Sequence, residues 1–128
     1  MMEQATLEQF TAMRADIEGE LTQARAAVVE AEADAAAAEA ARLTALADRD
    51  AMQAAISPLG ETVLAPIALR LGDMSRALSR ATGDAIRARL IAEASHRRVT
   101  ELEDAIAQIE RLIDPPPPDP ELIEGEAA

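Results

Sequence analysis

The chain has 128 residues, enough for one domain, with no cysteine and a single aromatic residue, Phe10. It carries 24 acidic residues against 12 basic ones, for a net charge of -12. An acidic chain is a poor general binder of nucleic acid or anionic membranes. The lack of cysteine excludes a disulfide framework and a thiolate nucleophile. Because aromatic side chains usually anchor compact cores, we expect an elongated helical protein.

No targeting or membrane segment is expected. The sequence has no run of about 18 apolar residues, which a membrane-spanning helix needs. Its first residues, MMEQATLEQF, lack the basic and apolar regions of a secretory signal. We therefore expect a cytoplasmic protein, or one assembled into a particle within a bacterial cell.

The first helix is predicted over about 6–56. Thr6 and Gln9 have the spacing of a capping box, and no proline follows until Pro58. One apolar row repeats every seven residues: Phe10, Ile17, Ala24, Ala31, Ala38, Ala45 and Met52. The second row is predicted to contain Met13, Ala27, Ala41 and Ala55, interrupted by Glu20, Asp34 and Asp48. The residues that widen the apolar stripe are Leu21, Val28, Leu43, Leu46 and Ile56.

A turn is predicted over about 57–62. Ser57 followed by Pro58 suits an N-cap and a first helical position. Pro66 fits either the first turn of the next helix or a kink near its start.

The second helix is predicted over about 63–113. Apolar or small residues follow one another at steps of three and four, which is typical of a left-handed coiled coil. Because this phase continues through Gly72 and Gly83, we expect one continuous helix. The row is Leu64, Ile67, Leu71, Met74, Leu78, Ala81, Ala85, Ala88, Ala92, Ser95, Val99, Leu102, Ile106, Ile109 and Ile113.

Folding the chain back at the turn pairs residues whose numbers sum to about 119, as in an antiparallel coiled coil. Large residues then meet large ones at both ends, and alanines meet alanines in the middle. The alanine-rich stretch 30–45 is thus interpreted as a close contact between helices. The predicted fold is all-α: a long antiparallel two-helix coiled-coil hairpin over 1–113.

Oligomerisation is expected because alanine contacts bury little apolar area. A dimer forming a four-helix bundle, or a ring of hairpins, would complete the packing. Alternatively, the extra apolar residues only widen the intrachain face. The predicted self-association residues are Leu21, Val28, Val29, Leu69, Ile86, Leu90 and Ile91.

The C-terminal tail, 114–128, is proline-rich and acidic. Its four consecutive prolines favour a stiff polyproline II spacer. Beyond them the tail is interpreted either as disordered or as a peptide that docks on a protein partner. The docking residues would be Leu122, Ile123 and Glu124.

Seven arginines form a basic belt in the second helix. They contact either nucleic-acid phosphates or the acidic first helix, and we favour pairing with the first helix. Pairing would join Arg80 to Glu39, Arg87 to Glu32 and Arg89 to Glu30. The belt residues are Arg70, Arg76, Arg80, Arg87, Arg89, Arg97 and Arg98.

No catalytic or metal site is predicted, and no cofactor. Glu93 and His96 have the Glu-x-x-His spacing of di-iron bundles, but they lie one place off the core row. The serines lack triad partners, and no glycine-rich phosphate loop is present. We expect a protein that is not an enzyme.

The row from Leu64 to Ile113, followed by the tail from Pro115 to Ala128, resembles the central part of phage or gene-transfer-agent small terminases. That resemblance implies an oligomeric DNA-packaging component whose tail contacts the large terminase. It departs from that family in having no helix-turn-helix before the first long helix. The chain is also similar to phage scaffolding proteins, which are acidic and helical.

The sequence therefore predicts a non-enzymatic, homo-oligomeric assembly adaptor for phage-like DNA packaging. Phage scaffolding or morphogenesis, or another coiled-coil adaptor role, is the first alternative. A ring that binds nucleic acid weakly and non-specifically through the arginine belt is the second. No membrane partner is expected.

Overall fold

The computed structural model describes residues 2–115 and is an all-helical hairpin over that range. Helix α1 spans Gln4–Ile56 and helix α2 spans Ala65–Ile113. A 3₁₀ segment, Ser57–Thr62, connects them. The predicted docking residues of the tail, Leu122, Ile123 and Glu124, lie outside the described residues.

Helix α1 begins before Thr6, so the predicted capping box is wrong. The backbone N–H of Leu7 donates to the Glu3 carbonyl at 3.0 Å, which places the first turn ahead of Thr6. Thr6 is therefore already inside the helix and cannot act as its N-cap.

The turn between the helices depends on Gly60. Its backbone has φ 56° and ψ -128°, a conformation that glycine adopts without steric cost. Ser57 lies inside the 3₁₀ segment, which follows Ile56 and has no side-chain cap, so Ser57 is not an N-cap. The Leu64 carbonyl receives the N–H groups of Ile67 at 3.0 Å and Ala68 at 3.1 Å. Pro66 thus lies in the first turn of α2, where its missing N–H costs no hydrogen bond.

Helix α2 is continuous through Gly72 and Gly83, as predicted. The three-four row of α2 is partly or fully buried from Ile67 to Ile113. Leu64, the first residue of the predicted row, precedes the helix and is 69% exposed.

The second row of α1 differs from the prediction. A different set of residues, repeating every seven positions from Leu7 to Ile56, is buried or half-buried. Met13, Ala27, Ala41 and Ala55 are exposed. Arginine fits a packed row because its aliphatic stem covers apolar surface while its guanidinium reaches water. The observed row is Leu7, Arg14, Leu21, Val28, Ala35, Arg42, Arg49 and Ile56.

The hairpin divides into two compact units. In the first, the described residues up to Ala24 pack with those from Arg97 onward. Its buried residues are large: Leu21, Leu102 and Ile109. Ion pairs join the two helices at its surface, with Arg14 2.6 Å from Glu110. We call this part the leucine unit.

The second unit spans Arg25–His96 and includes the turn. Its buried residues are all alanine: Ala31, Ala85 and Ala92. Ala31 and Ala88, which face each other in the predicted register, line one groove, and so do Ala45 and Met74. The close alanine contact predicted for this part of the hairpin is therefore present, and we call it the alanine unit.

Candidate interaction surfaces

Large apolar side chains are exposed on both helices of the alanine unit. On α1, Val29 is 70% exposed and Leu43 is half exposed. Leu43 was predicted to widen the buried stripe and instead faces outward. On α2 the exposed residues are Leu69, Ile86, Leu90 and Ile91.

Leu21 and Val28 do not share this exposure. Leu21 is only 6% exposed, and Val28 is half-buried, because both belong to the second row of α1. Leu21 is therefore occupied within the hairpin and does not belong to a surface for a second copy. The prediction that Leu21 and Val28 widen the apolar stripe of α1 is therefore confirmed, whereas the assignment of Leu21 to the self-association surface is wrong.

The belt arginines are exposed, and the three predicted pairs with α1, Arg80–Glu39, Arg87–Glu32 and Arg89–Glu30, do not form. Arg87 pairs with Asp84, three residues earlier in its own helix. Among residues 2–115, Arg80 and Arg89 make no ion pair. The guanidinium groups point outward because α2 packs against α1 only through the face that carries its alanine row. Only Arg98 reaches a carboxylate of α1, lying 3.6 Å from Glu20 in the leucine unit.

A short internal repeat underlies part of the belt. The sequence Gly-Asp-x-x-Arg-Ala occurs at 72–77 and again at 83–88. In both copies the arginine pairs with the aspartate and folds over the glycine, 3.6 Å and 3.5 Å from where a Cβ would lie. Eleven residues correspond to about three helical turns, or roughly 16 Å, so the two arginines share one face. The repeat is visible in the sequence, where both glycines were predicted to lie within one continuous helix.

The carboxylates of α1 are also held locally. Arg42 Nη2 donates to Glu39 Oε1 at 2.6 Å, and Arg42 Nε donates to the other oxygen at 3.0 Å. This two-pronged hydrogen bond lowers the pKa of Glu39, with a smaller contribution from the positive charge of Arg89. The same pair raises the pKa of Arg42. Glu39 is therefore engaged by its own helix and not by Arg80.

His96 contacts α1 rather than forming a metal site with Glu93. Its Nε2 lies 2.5 Å from Glu32 Oε1. Over residues 2–115, no three His, Asp or Glu side chains converge as a metal site. Glu32, which was predicted to pair with Arg87, therefore contacts His96 instead.

The concave sites are open grooves beside charged side chains. One in the alanine unit, of about 300 Å³, is lined by Asp34, Asp84, Arg87 and Ile91 with two alanines. One in the leucine unit, of about 500 Å³, lies beside Arg14, Glu110 and Arg111. Neither places a nucleophile beside a base, so neither geometry describes a catalytic arrangement.

Neither described helix has an apolar stretch long enough to cross a membrane. Comparison with protein families, with curated proteins and with solved structures finds no match to this chain.

Proposed function

We propose that this chain is a non-enzymatic assembly adaptor that self-associates through the alanine unit. The observation that carries the proposal is the exposure of Val29, Leu69, Leu90 and Ile91 beside a seam built of alanine. Large apolar residues outside and small ones inside reverse the usual distribution. Exposed apolar patches mark interaction sites, and three of the exposed residues, Ile86, Leu90 and Ile91, lie within two turns of α2.

The helical-hairpin fold agrees with this role, and the resemblance to small terminases gives it a setting. In that setting the adaptor belongs to a phage or gene-transfer-agent DNA-packaging machine, and its acidic tail contacts the large terminase. Phage scaffolding is the alternative within the same class. Both settings require self-association and a partner bound by the tail.

The mass of the full chain in solution, measured by light scattering after size exclusion, tests self-association. We expect a defined multiple of the 13.6 kDa chain mass. A protein that stays at the mass of one chain up to high concentration would contradict the proposal.

The tail is tested separately by deleting residues 115–128. Helicity and oligomer mass should be unchanged, whereas binding to a purified large terminase should be lost. A variant with Leu122 and Ile123 both replaced by Ser separates loss of the docking residues from loss of length. If the truncated chain cannot assemble, the tail is part of the oligomer interface and the proposed role of the tail is wrong.

Nucleic-acid binding is a second candidate function. It is favoured by the exposure of the belt and by Arg80 and Arg89, which have no ion-pair partner among residues 2–115. Binding to a fluorescent DNA duplex should then weaken with salt, with a log-log slope of about -0.9 for each phosphate neutralised. The double variant Arg80→Gln/Arg89→Gln should reduce that slope, and Arg111→Gln is the matched control outside the belt. No binding at low salt would exclude this function.

A further inference from the structure

The outer face of α1 carries a second heptad row, on the side away from α2. Between residues 26 and 47, positions at steps of three and four are all apolar and all exposed. The row is Ala26, Val29, Ala33, Ala36, Ala40, Leu43 and Ala47. We call it the α1 outer row. A repeat of this spacing is what a partner helix packs against in a coiled coil.

The outer face of α2 in the same unit has a matching row. It runs Leu69, Gly72, Arg76, Ser79, Gly83, Ile86 and Leu90 at the same three-four steps. We call it the α2 outer row. Its three small residues, Gly72, Ser79 and Gly83, let another helix approach closely, and its large apolar members are exposed.

The geometry points to a head-to-tail contact in which the α1 outer row of one copy packs on the α2 outer row of the next. This inference rests on the proposed self-association and specifies its surfaces and its symmetry. Such a heterologous contact builds a ring when the rotation closes, rather than a two-fold dimer.

The heights of the residues along the helix axes support the pairing of the α1 outer row with the α2 outer row. Copies related by rotation about an axis parallel to the helices do not slide along it, so residues at the same height meet. The register inside the hairpin places Val29 level with Leu90, Ala33 with Ile86, and Ala36 with Gly83. Val29 and Ala33 thus meet large apolar residues, Ala36 meets a glycine that allows close approach, and the same register places Leu43 level with Arg76, whose aliphatic stem can cover it.

Charge selects this arrangement over a two-fold one. Over residues 26–47, α1 has four acidic residues against Arg42, whereas over 69–90, α2 has five arginines against Asp73 and Asp84, so the two faces keep opposite net charge after the local pairs are counted. Packing two α2 faces together would bring arginines against arginines, and packing two α1 faces would do the same with carboxylates. Such juxtaposition disfavours the wrong pairing, while opposite charges favour the mixed one.

The arginines that lie over the glycines must move when a neighbouring helix approaches. Arg87 is exposed, pairs with Asp84, and lies 3.5 Å from the Cβ position of Gly83 through the end of a flexible side chain. When Ala36 approaches Gly83, that guanidinium exchanges Asp84 for Glu30 of the neighbouring copy. The predicted pairing of the belt with α1 would then form between copies instead of within one.

Two complementary variants test the inference. The α1-face variant is Val29→Glu/Ala36→Glu, and the α2-face variant is Ile86→Glu/Leu90→Glu. Each removes one surface and keeps the other. All four positions are exposed, so circular dichroism should report unchanged helicity. Ala27→Glu, exposed on a different side of α1, is the matched control and should assemble like the unaltered chain.

We expect each variant alone to have the mass of one chain, and an equimolar mixture to give a dimer with one chain of each kind. The mixture joins the intact α2 face of one variant to the intact α1 face of the other and stops there. If the α1-face variant assembles alone, the copies pair through α2 and the inference is wrong, while self-association stands. If both variants keep the original oligomer, the interface lies elsewhere. If the unaltered chain is a monomer, the proposed function itself fails.

Discussion

The leucine unit and the alanine unit use one helical pattern with opposite choices of side chain. Leu21, Leu102 and Ile109 fill the seam of the leucine unit, whereas the seam of the alanine unit is closed by Ala31, Ala85 and Ala92. Buried leucine or isoleucine contributes about 1.5–3 kcal/mol of transfer free energy, and alanine much less. The heptad repeat sets which helices pair, but the size of the side chains decides where the stability comes from.

The outer surfaces differ in the same direction. The alanine unit exposes Val29, Leu69 and Ile86 on faces turned away from its seam. Small residues inside let the helices approach closely, and the large residues outside are left for another chain. The weakly packed seam and the apolar exterior of the alanine unit both follow from a sequence that places small residues inside and large apolar residues outside.

The largest effect is expected from truncating the core of the leucine unit. Leu102→Ala should lower the free energy of unfolding by about 2–5 kcal/mol, because it removes buried methyl groups and leaves a cavity. Urea unfolding followed by circular dichroism measures it. Leu112→Ala, at an exposed position of the same unit, should change stability by less than about 0.5 kcal/mol. Equal losses at both positions would contradict the assignment of the core.

Enlarging the seam of the alanine unit should have the next largest effect. Ala85 is 4% exposed, so Ala85→Leu forces the helices apart and should cost about 1–3 kcal/mol. Thermal unfolding of the variant tests this, with Ala27→Leu on an exposed face as control. Stabilisation by Ala85→Leu would mean that the seam has spare room and is not a close contact.

Glycine substitutions compare the two units at a smaller scale. Gly19→Ala and Gly83→Ala should each stabilise a monomeric chain by about 1 kcal/mol through helix propensity. A Cβ at Gly19 meets nothing within 4 Å, and at Gly83 only the Arg87 side chain at ordinary contact distance. In the assembling chain, Gly83→Ala should weaken the oligomer and Gly19→Ala should not, as read from the dissociation midpoint on dilution. A stronger oligomer with Gly83→Ala would argue against close approach at this position.

The smallest effect concerns the pH dependence of the alanine unit. The hydrogen bonds from Arg42 lower the pKa of Glu39 below its usual 4.5. The ionised carboxylate therefore stabilises the fold above that ordinary pKa, and the contribution is lost as pH falls through the lowered value. Arg42→Gln should raise the pKa of Glu39 toward normal, and Arg89→Gln should raise it less, as measured by carboxyl-carbon NMR titration. Arg25→Gln serves as the control, and an equal shift in all three variants would contradict the assigned cause.

The helical pairing could be predicted from sequence because the repeat of α2 is unbroken from Ile67 to Ile113. The repeat continues through Gly72 and Gly83, although Gly-Asp pairs tend locally to end a helix. The stabilisation from packing a whole helix face exceeds the helix-propensity penalty of about 1 kcal/mol at each glycine. The second row of α1 was missed for a physical reason. Arg14 and Arg42 are half-buried in the packed row, because a long charged side chain can cover apolar surface, which a polar-or-apolar assignment cannot represent.

The surfaces were less predictable than the fold. Leu21 was assigned both to the widened apolar stripe and to the self-association surface, because the second row of α1 was placed one position away from the row that is buried, and one position turns a residue from seam to surface. The predicted ion pairs between the helices do not form because partners three residues away in the same helix compete with a partner on the other helix. Asp84 is closer to Arg87 along the chain than Glu32, and ordering a local pair costs less side-chain entropy.

We infer that the stability of the alanine unit depends on contact with a second copy of the chain, whereas the stability of the leucine unit does not. Hydrogen-deuterium exchange compares them directly in the unaltered chain and in the Ile86→Glu/Leu90→Glu variant. We predict that amides within residues 25–96 exchange at least about tenfold faster in the variant, while those of 4–24 and 97–113 change little, since local opening follows local packing. Equal protection of both units in the two proteins would contradict the account.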